Sequence, residues 1–367
     1  MDGWTDAREA TRNVVVEDPS ASLTDALRTI EDGRSRSRER ERAARRVEAW
    51  AVDACARAPG VMLHWECAGR RFAERLVDGR ETSEEVREAL TDAMVAATVA
   101  SGVEKDSIVI DDEVLRALAL GARDSYGKVA MASARGASAL CRIAQEDSRS
   151  KVITRSLASA LTHKTGKVRL EAVRQLECAL FESDCFHLVY DLTGGSHVDV
   201  STVRINYFSA LACDPSPFVR MEFTRLCGTC LDGASASLTP RILPYILSSL
   251  VDEIIDVVEV AKQIIQSRNN FHETVCRHLG DVLLPALSEL RSHIGSNWRI
   301  DVILRILDLI EALVVFAKDR ATQFIPNVID GLDEAVSSTS DTLVQMKARA
   351  VRERFKQVCP EACNYKN

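Results

Sequence analysis

Aromatic residues are scarce, at 5% of the chain, while leucine, alanine, valine, arginine and glutamate are abundant. That balance disfavours sheet and favours helix. Net positive charge is also missing. The 47 basic and 54 acidic side chains leave −7, which argues against a chain that grips nucleic acid with its whole surface. The opening, MDGWTDAREATRNVVVEDP, is acidic and lacks the apolar core of a secretory signal. The most apolar stretch, VILRILDLIEALVVFA (302–317), carries Arg305, Asp308 and Glu311, so it reads as a buried helix and not as a membrane span.

Catalytic signatures are absent too. There is no HExxH and no GxSxG. HKTGKVR (163–169) contains a Gly-Lys pair, but a phosphate-binding loop needs glycine at 161 and Ser or Thr at 168, where Leu161 and Val168 stand. TGGSHVD (193–199) has no lysine. His187 and His197 lie near Asp191 and Asp199 and could meet at a metal if the segment folded back, but nothing in the sequence fixes that geometry and a solvated loop fits it better. The chain has 11 cysteines, including Cys227-x-x-Cys230 and the pair Cys359 and Cys363, without the second half of a zinc site. Most fall on apolar helical positions and read as reduced core residues, which suits a cytosolic or nuclear compartment. No catalytic residue, metal or cofactor is expected.

Apolar residues make up 46%, enough for an extensive core, and they repeat. ILPYILSSL, LLPALSEL and FIPNVIDGL place Pro244, Pro285 and Pro326 at equal intervals of 41 residues. Each marks a first helix, with proline near its beginning. A second helix follows each. In DPSPFVR (214–220), Ser216 suits an N-cap and Pro217 the first helical position. An apolar residue followed by arginine recurs at Val86–Arg87, Val168–Arg169, Val219–Arg220 and Trp298–Arg299. An acid stands six positions before that arginine slot at Glu81, Asp124, Asp214 and Asp252. The spacing is about 40 residues, with one longer interval around 183–200, read as an extra short helix and a loop at Gly194–Gly195.

This unit resembles the HEAT repeat through its period, its first-helix proline and its D…VR signature. The resemblance implies an all-α fold, an α-solenoid of stacked antiparallel helix pairs in a HEAT/armadillo-like superhelix. Residues 21–356 would form one solenoid of about seven to eight pairs with the 183–200 insert, between a poorly ordered tail (1–20) and a C-terminal tail (357–367). Glu81, Arg87, Asp124, Arg169, Asp214, Arg220, Asp252 and Arg299 would form a structural ladder of ion pairs within or between repeats. One dense basic run, RSRSRERERAARR, supplies Arg34, Arg36, Arg38, Arg40, Arg42, Arg45 and Arg46. It reads as a solvated, partly paired helix start, with contact to RNA or an acidic partner as the alternative.

From about 205 to 332 the likeness narrows. DPSPFVRMEFTRLCGTCLDG, LTPRILPYILSSLVDEIIDVVEVA and the following repeats are similar to the HEAT-repeat dynein axonemal assembly factors. That resemblance implies a non-enzymatic scaffold for cytoplasmic preassembly of dynein arms for cilia or flagella, partnered by dynein chains and chaperone machinery. This chain is expected to be shorter than the family's members. Two alternatives stay open: another HEAT adaptor, of transport-receptor or phosphatase-regulator type, and a nucleic-acid-binding repeat protein.

Overall fold

The computed structural model describes residues 19–32, 34–57, 65–102, 110–182, 188–195, 197–200, 203–233, 238–250, 252–293 and 300–358. The chain divides into two units, 1–185 and 186–367, at a boundary inside the 183–200 insert. Among the described residues, no helix is long and apolar enough to cross a membrane.

In the first unit, apolar residues recur every three or four positions, and each such stretch folds as a helix with one buried stripe. The helices are α1 (Pro19–Glu31), α2 (Ser37–Arg57), α3 (Trp65–Val77), α4 (Glu84–Gly102), α5 (Asp112–Gly121) and α6 (Gly127–Cys141). Next come α7 (Glu146–Val152), a π-helical turn (Ile153–Leu157), α8 (Ala158–Leu161) and α9 (Gly166–Glu182). In α4 the stripe is Val86, Ala89, Leu90, Ala93, Met94 and Ala97, all buried. The second helices of successive pairs stack in chain order, α2 on α4, α4 on α6 and α6 on α9. Between them, α1 packs on α2, α3 on α4 and α5, and α5 on α6. Each pair thereby covers the apolar face its predecessor leaves open, as in an α-solenoid.

The second unit begins with α10 (Leu188–Tyr190) and a π-helical turn (Asp191–Gly195). Strands β1 (His197–Val200) and β2 (Val203–Asn206) then pair antiparallel, His197 opposite Asn206 and Val200 opposite Val203. Eight helices follow: α11 (Tyr207–Ala212), α12 (Pro217–Gly233), α13 (Thr239–Ser249), α14 (Ile255–Gln266), α15 (Phe271–Arg277), α16 (Leu279–His293), α17 (Ile300–Ala317) and, after a 3-10 turn (Lys318–Phe324), α18 (Ile325–Ser338). α19 (Thr342–Val358) is the last. α12 packs on α13 and α14, α17 on α13, α16 and α19, and α18 on α16 and α19.

The hairpin corrects the expectation of a plain loop. Gly194 and Gly195 sit in the π-helical turn, and the residues after them pair as strands. Four β-branched residues, Val198, Val200, Val203 and Ile205, alternate through VDVSTVRIN and favour extended backbone. The hairpin ends where helix resumes. Asn206 Oδ1 accepts the Ser209 amide at 2.7 Å, capping α11, and accepts the Tyr245 hydroxyl at 3.1 Å. Burial pushes that hydroxyl up to about 12. Phe208, Phe223 and Tyr245 meet edge to face, with centroids 5.1 to 5.6 Å apart, and join α11, α12 and α13.

The periodic prolines fall at different depths. Pro244 and Pro285 are inside α13 and α16, whereas Pro326 lies at the first turn of α18. The DPSPFVR turn folds as the sequence indicates: α12 starts at Pro217, and the Ser216 carbonyl accepts the Val219 and Arg220 amides.

Close approach of the stacked helices depends on small residues. A Cβ on Gly136 in α6 would lie 2.5 Å from Val95 Cγ2 of α4 and 3.3 Å from Leu118 Cδ2 of α5. Gly136→Ala is expected to cost about 1–3 kcal/mol through overpacking. Val95→Ala in the same chain should return part of that loss. Urea denaturation of the two single variants and the double variant measures both effects.

Candidate functional site

Among the described residues, the turn between the two helices of a pair carries a recurring polar geometry. Its first element is an acceptor side chain that binds the amide two residues on. Glu81 accepts from Ser83 (3.1 Å), Asp124 from Tyr126 (2.9 Å), Asp214 from Ser216 (2.8 Å), and Asp252 from Ile254 (2.9 Å). The three aspartate cases are Asx turns, Glu81 makes the same link with a longer side chain, and all orient the chain to enter the next helix.

The second element is the arginine six residues later, at the start of the second helix. Its side chain reaches back to the turn that it has just left. Arg220 Nη1 donates to the Asp214 carbonyl at 2.7 Å, and Arg87 Nη1 to the Thr82 carbonyl at 2.9 Å. The rest of the guanidinium reaches forward to the acid of the next turn. Arg87 grips Asp124 with Nε–Oδ2 at 2.8 Å and Nη2–Oδ1 at 3.1 Å. Arg220 grips Asp252 the same way at 2.8 and 2.9 Å. Each arginine therefore links its own turn's backbone to its neighbour's carboxylate, a two-point contact that only a planar guanidinium makes well.

The other predicted ladder residues fall as follows. Glu81 is gripped by Arg40 of α2 (2.9 and 3.0 Å) and by Arg75 (3.2 Å). Arg40 also donates to the Ser35 carbonyl, so it repeats the Arg87 pattern one turn earlier. Asp214 is buried, and its carboxylate serves its own turn. Arg169 donates to the His163 and Lys164 carbonyls at 2.7 and 3.1 Å. Arg299 lies outside the described residues.

Position 163 shows what happens when the pattern lapses. The arginine slot six residues after Asp124 holds Ala130, so no guanidinium from that slot meets the next turn. The acid position of that next turn is filled by His163. Its Nδ1 accepts the Thr165 amide at 3.0 Å, as the carboxylates do elsewhere, and its Nε2 bonds the Asp124 carbonyl at 2.9 Å. Those partners require an imidazole with its proton on Nε2. Arg305, absent from any periodic pattern, adds a second guanidinium to Asp252 at 2.8 Å and donates to the Ser248 carbonyl at 3.3 Å. In the last turn Lys347 takes the slot after Asp341, and its Nζ meets Asp308 at 2.5 Å and Glu311 at 3.0 Å of α17.

Burial alone would raise the Asp252 carboxyl. The hydrogen bond from Arg220, the Ile254 amide and the charge of Arg305 outweigh it and hold the group below the usual carboxylate range. For Glu81 burial again opposes, and Arg40, the Ser83 amide and Arg75 prevail. Both side chains are almost wholly removed from solvent.

The remaining sequence candidates resolve simply. Cys227 and Cys230 are buried in α12, and burial, then the neighbouring thiol, pushes Cys227 well above its ordinary value, as for an inert core thiol. Of the two histidines considered for a metal, His187 lies outside the described residues and His197 is in β1. No group of three or more His, Cys, Asp or Glu poised to hold a metal occurs among the described residues. In the basic run, Arg40 is buried and Arg45 is partly exposed, and both are paired. Arg45 pairs with Asp92 at 2.6 Å and Glu48 at 3.1 Å. Arg34, Arg36, Arg38, Arg42 and Arg46 are exposed.

Removing one partner of a buried pair strands the other charge. Asp252→Ala, which takes the shared buried carboxylate from two guanidinium groups and leaves Arg220 only the exposed Glu253 at 3.1 Å, is expected to cost about 3–5 kcal/mol. Arg220→Met should cost less, since Arg305 remains on Asp252, and Arg305→Met least. Chemical denaturation of the three variants gives the order. The two depressed carboxyls add an acid dependence. A group whose folded pKa lies below its unfolded value contributes stability above the unfolded value and loses it as pH falls through the folded one. Stability should therefore drop below about pH 4, and the drop should be shallower in a Glu81→Gln, Asp252→Asn variant measured by denaturation across that range.

A family model described as "Dynein axonemal assembly factor 5-like, TPR repeats" matches residues 6–273. No curated protein matches. Among solved structures, an engineered protein aligns over 66% of this chain and 97% of its own, with 17% identity and a TM-score of 0.41. Importin beta aligns over 94% of this chain and 43% of its own, with 12% identity and a TM-score of 0.46. A second engineered protein aligns over 91% and 99%, with 14% identity and a TM-score of 0.31. At those scores the fold rests on the helix pairing itself. The spacing of about 40 residues is that of HEAT units, longer than the roughly 34 of a tetratricopeptide. The matched span reaches far upstream of the 205–332 segment that carries the visible likeness, and the chain belongs to the dynein axonemal assembly factor 5-like repeat family.

Proposed function

We propose that this chain is a non-enzymatic scaffold for the cytoplasmic preassembly of axonemal dynein arms. It would hold dynein chains and chaperone machinery together before the complexes enter cilia or flagella. The supporting observation is the family match over residues 6–273, joined to a fold of stacked helix pairs that presents extended surface for partners. The ladder fits this role. An arginine that binds its own turn and the next carboxylate holds consecutive pairs in one relative placement, so binding residues spread over several repeats stay in register. Nothing in that geometry calls for reactive chemistry: the buried carboxylates are each committed to guanidinium or amide donors.

Deleting the gene in a flagellated cell and imaging axonemes by electron microscopy tests the reading. Loss of dynein arms and motility, restored by the wild-type chain, is expected. Normal arms and swimming would contradict it. So would affinity purification from cytosol that recovers a phosphatase catalytic subunit or a small GTPase and no dynein chain.

A further inference from the structure

Helix α2 divides its arginines by partner. Arg40 is buried and tied to Glu81, and Arg45, which is partly exposed and also lines the α1–α2 groove, is tied to Asp92. Arg38, Arg42 and Arg46 stand four residues apart on the exposed face, and none makes an ion pair among the described residues. Arg46 lies over the Trp50 ring, 6.0 Å from its centroid, and remains exposed. The three line one side of an open groove of about 940 Å³, whose other walls include Thr29 of α1 and Ser35 of the connecting turn. An arginine-lined concavity is suited to carboxylates.

The lining also says which anion fits. Glu39 and Glu41 share the groove. Glu39, which accepts the Arg36 amide at 2.9 Å, and Glu41 both interrupt the positive field. A continuous polyanion such as a nucleic-acid backbone would meet those carboxylates and the net charge of −7. A peptide meets the same net charge but can set its carboxylates on the arginines and leave neutral residues opposite Glu39 and Glu41. Residues four apart on a helix lie about 6 Å apart, so a partner helix with an acid at every fourth position matches the arginine spacing.

We propose that the α1–α2 groove is a docking site for an acidic segment of a partner protein, its carboxylates one helical turn apart and paired with Arg38, Arg42 and Arg46. This deepens the scaffold reading and rests on it, by giving the chain one defined contact surface and the chemistry of what it holds.

The test uses the full purified chain and three labelled probes in fluorescence anisotropy. One is a helical peptide with glutamate at every fourth position, the second is its glutamine counterpart, and the third is an RNA oligonucleotide of equal formal charge. The glutamate peptide should bind, bind more weakly as salt rises, and weaken roughly tenfold in the Arg38→Ala, Arg42→Ala, Arg46→Ala variant. Circular dichroism checks that this variant folds. Arg42→Gln serves as a milder second variant with a smaller loss, and Glu41→Gln should tighten binding. Equal binding of the two peptides, tighter binding of the RNA, or unchanged affinity in both arginine variants would overturn the proposal. Because the probes are synthetic and not the native partners, failure here leaves the axoneme assay free to stand or fall separately.

Discussion

A guanidinium that bonds the backbone of its own turn and both oxygens of the next turn's carboxylate is the contact on which the repeat geometry depends. Arg87 with Asp124 and Arg220 with Asp252 are its full forms. Apolar burial drives the helix pairs together but is non-directional and tolerates many relative placements. A bidentate pair tolerates few. Such a buried pair adds little net stability compared with an apolar replacement, because desolvation offsets the attraction. What it supplies is register: a rotation of one pair on the next breaks two short hydrogen bonds and leaves charge without solvent.

The packing and the rungs support each other. Gly136 admits Val95 because it has no Cβ, and Gly228 admits Ile264 in the same way, so successive second helices come close enough for a turn-to-turn reach. Where the arginine is missing, the acid is missing too. Ala130 and His163 are a matched change, with the imidazole now bonding the preceding turn's carbonyl. Two of the acids take a second cation, Asp252 from Arg305 and Glu81 from Arg75.

Much of this was legible in the residues. The 41-residue proline interval and the recurring apolar-Arg dipeptides gave the repeat, and the acid six positions earlier marked the turn. The direction of pairing was not legible: within one repeat the arginine meets the acid residue's backbone, and its carboxylate partner is one repeat on. Arg40 was hidden because Arg34 fills the acid position before it. Arg305 was hidden because it lies mid-helix and recurs nowhere. His163 stood in plain view six residues before Arg169, but an imidazole does not announce itself as a carboxylate substitute. The hairpin was lost because four alternating β-branched residues are a short signal beside two glycines. Upstream the signature is incomplete, with Arg34 and His163 in acid positions and Ala130 in an arginine slot.

A double-mutant cycle on Arg87 and Asp124 probes the central claim most directly, with Arg87→Met, Asp124→Asn and the combined variant unfolded in urea. The account predicts a coupling of about 1–3 kcal/mol between the two positions. Losses that add to within about 0.5 kcal/mol would mean that the pair does not join one repeat to the next, and the ladder would have no structural role.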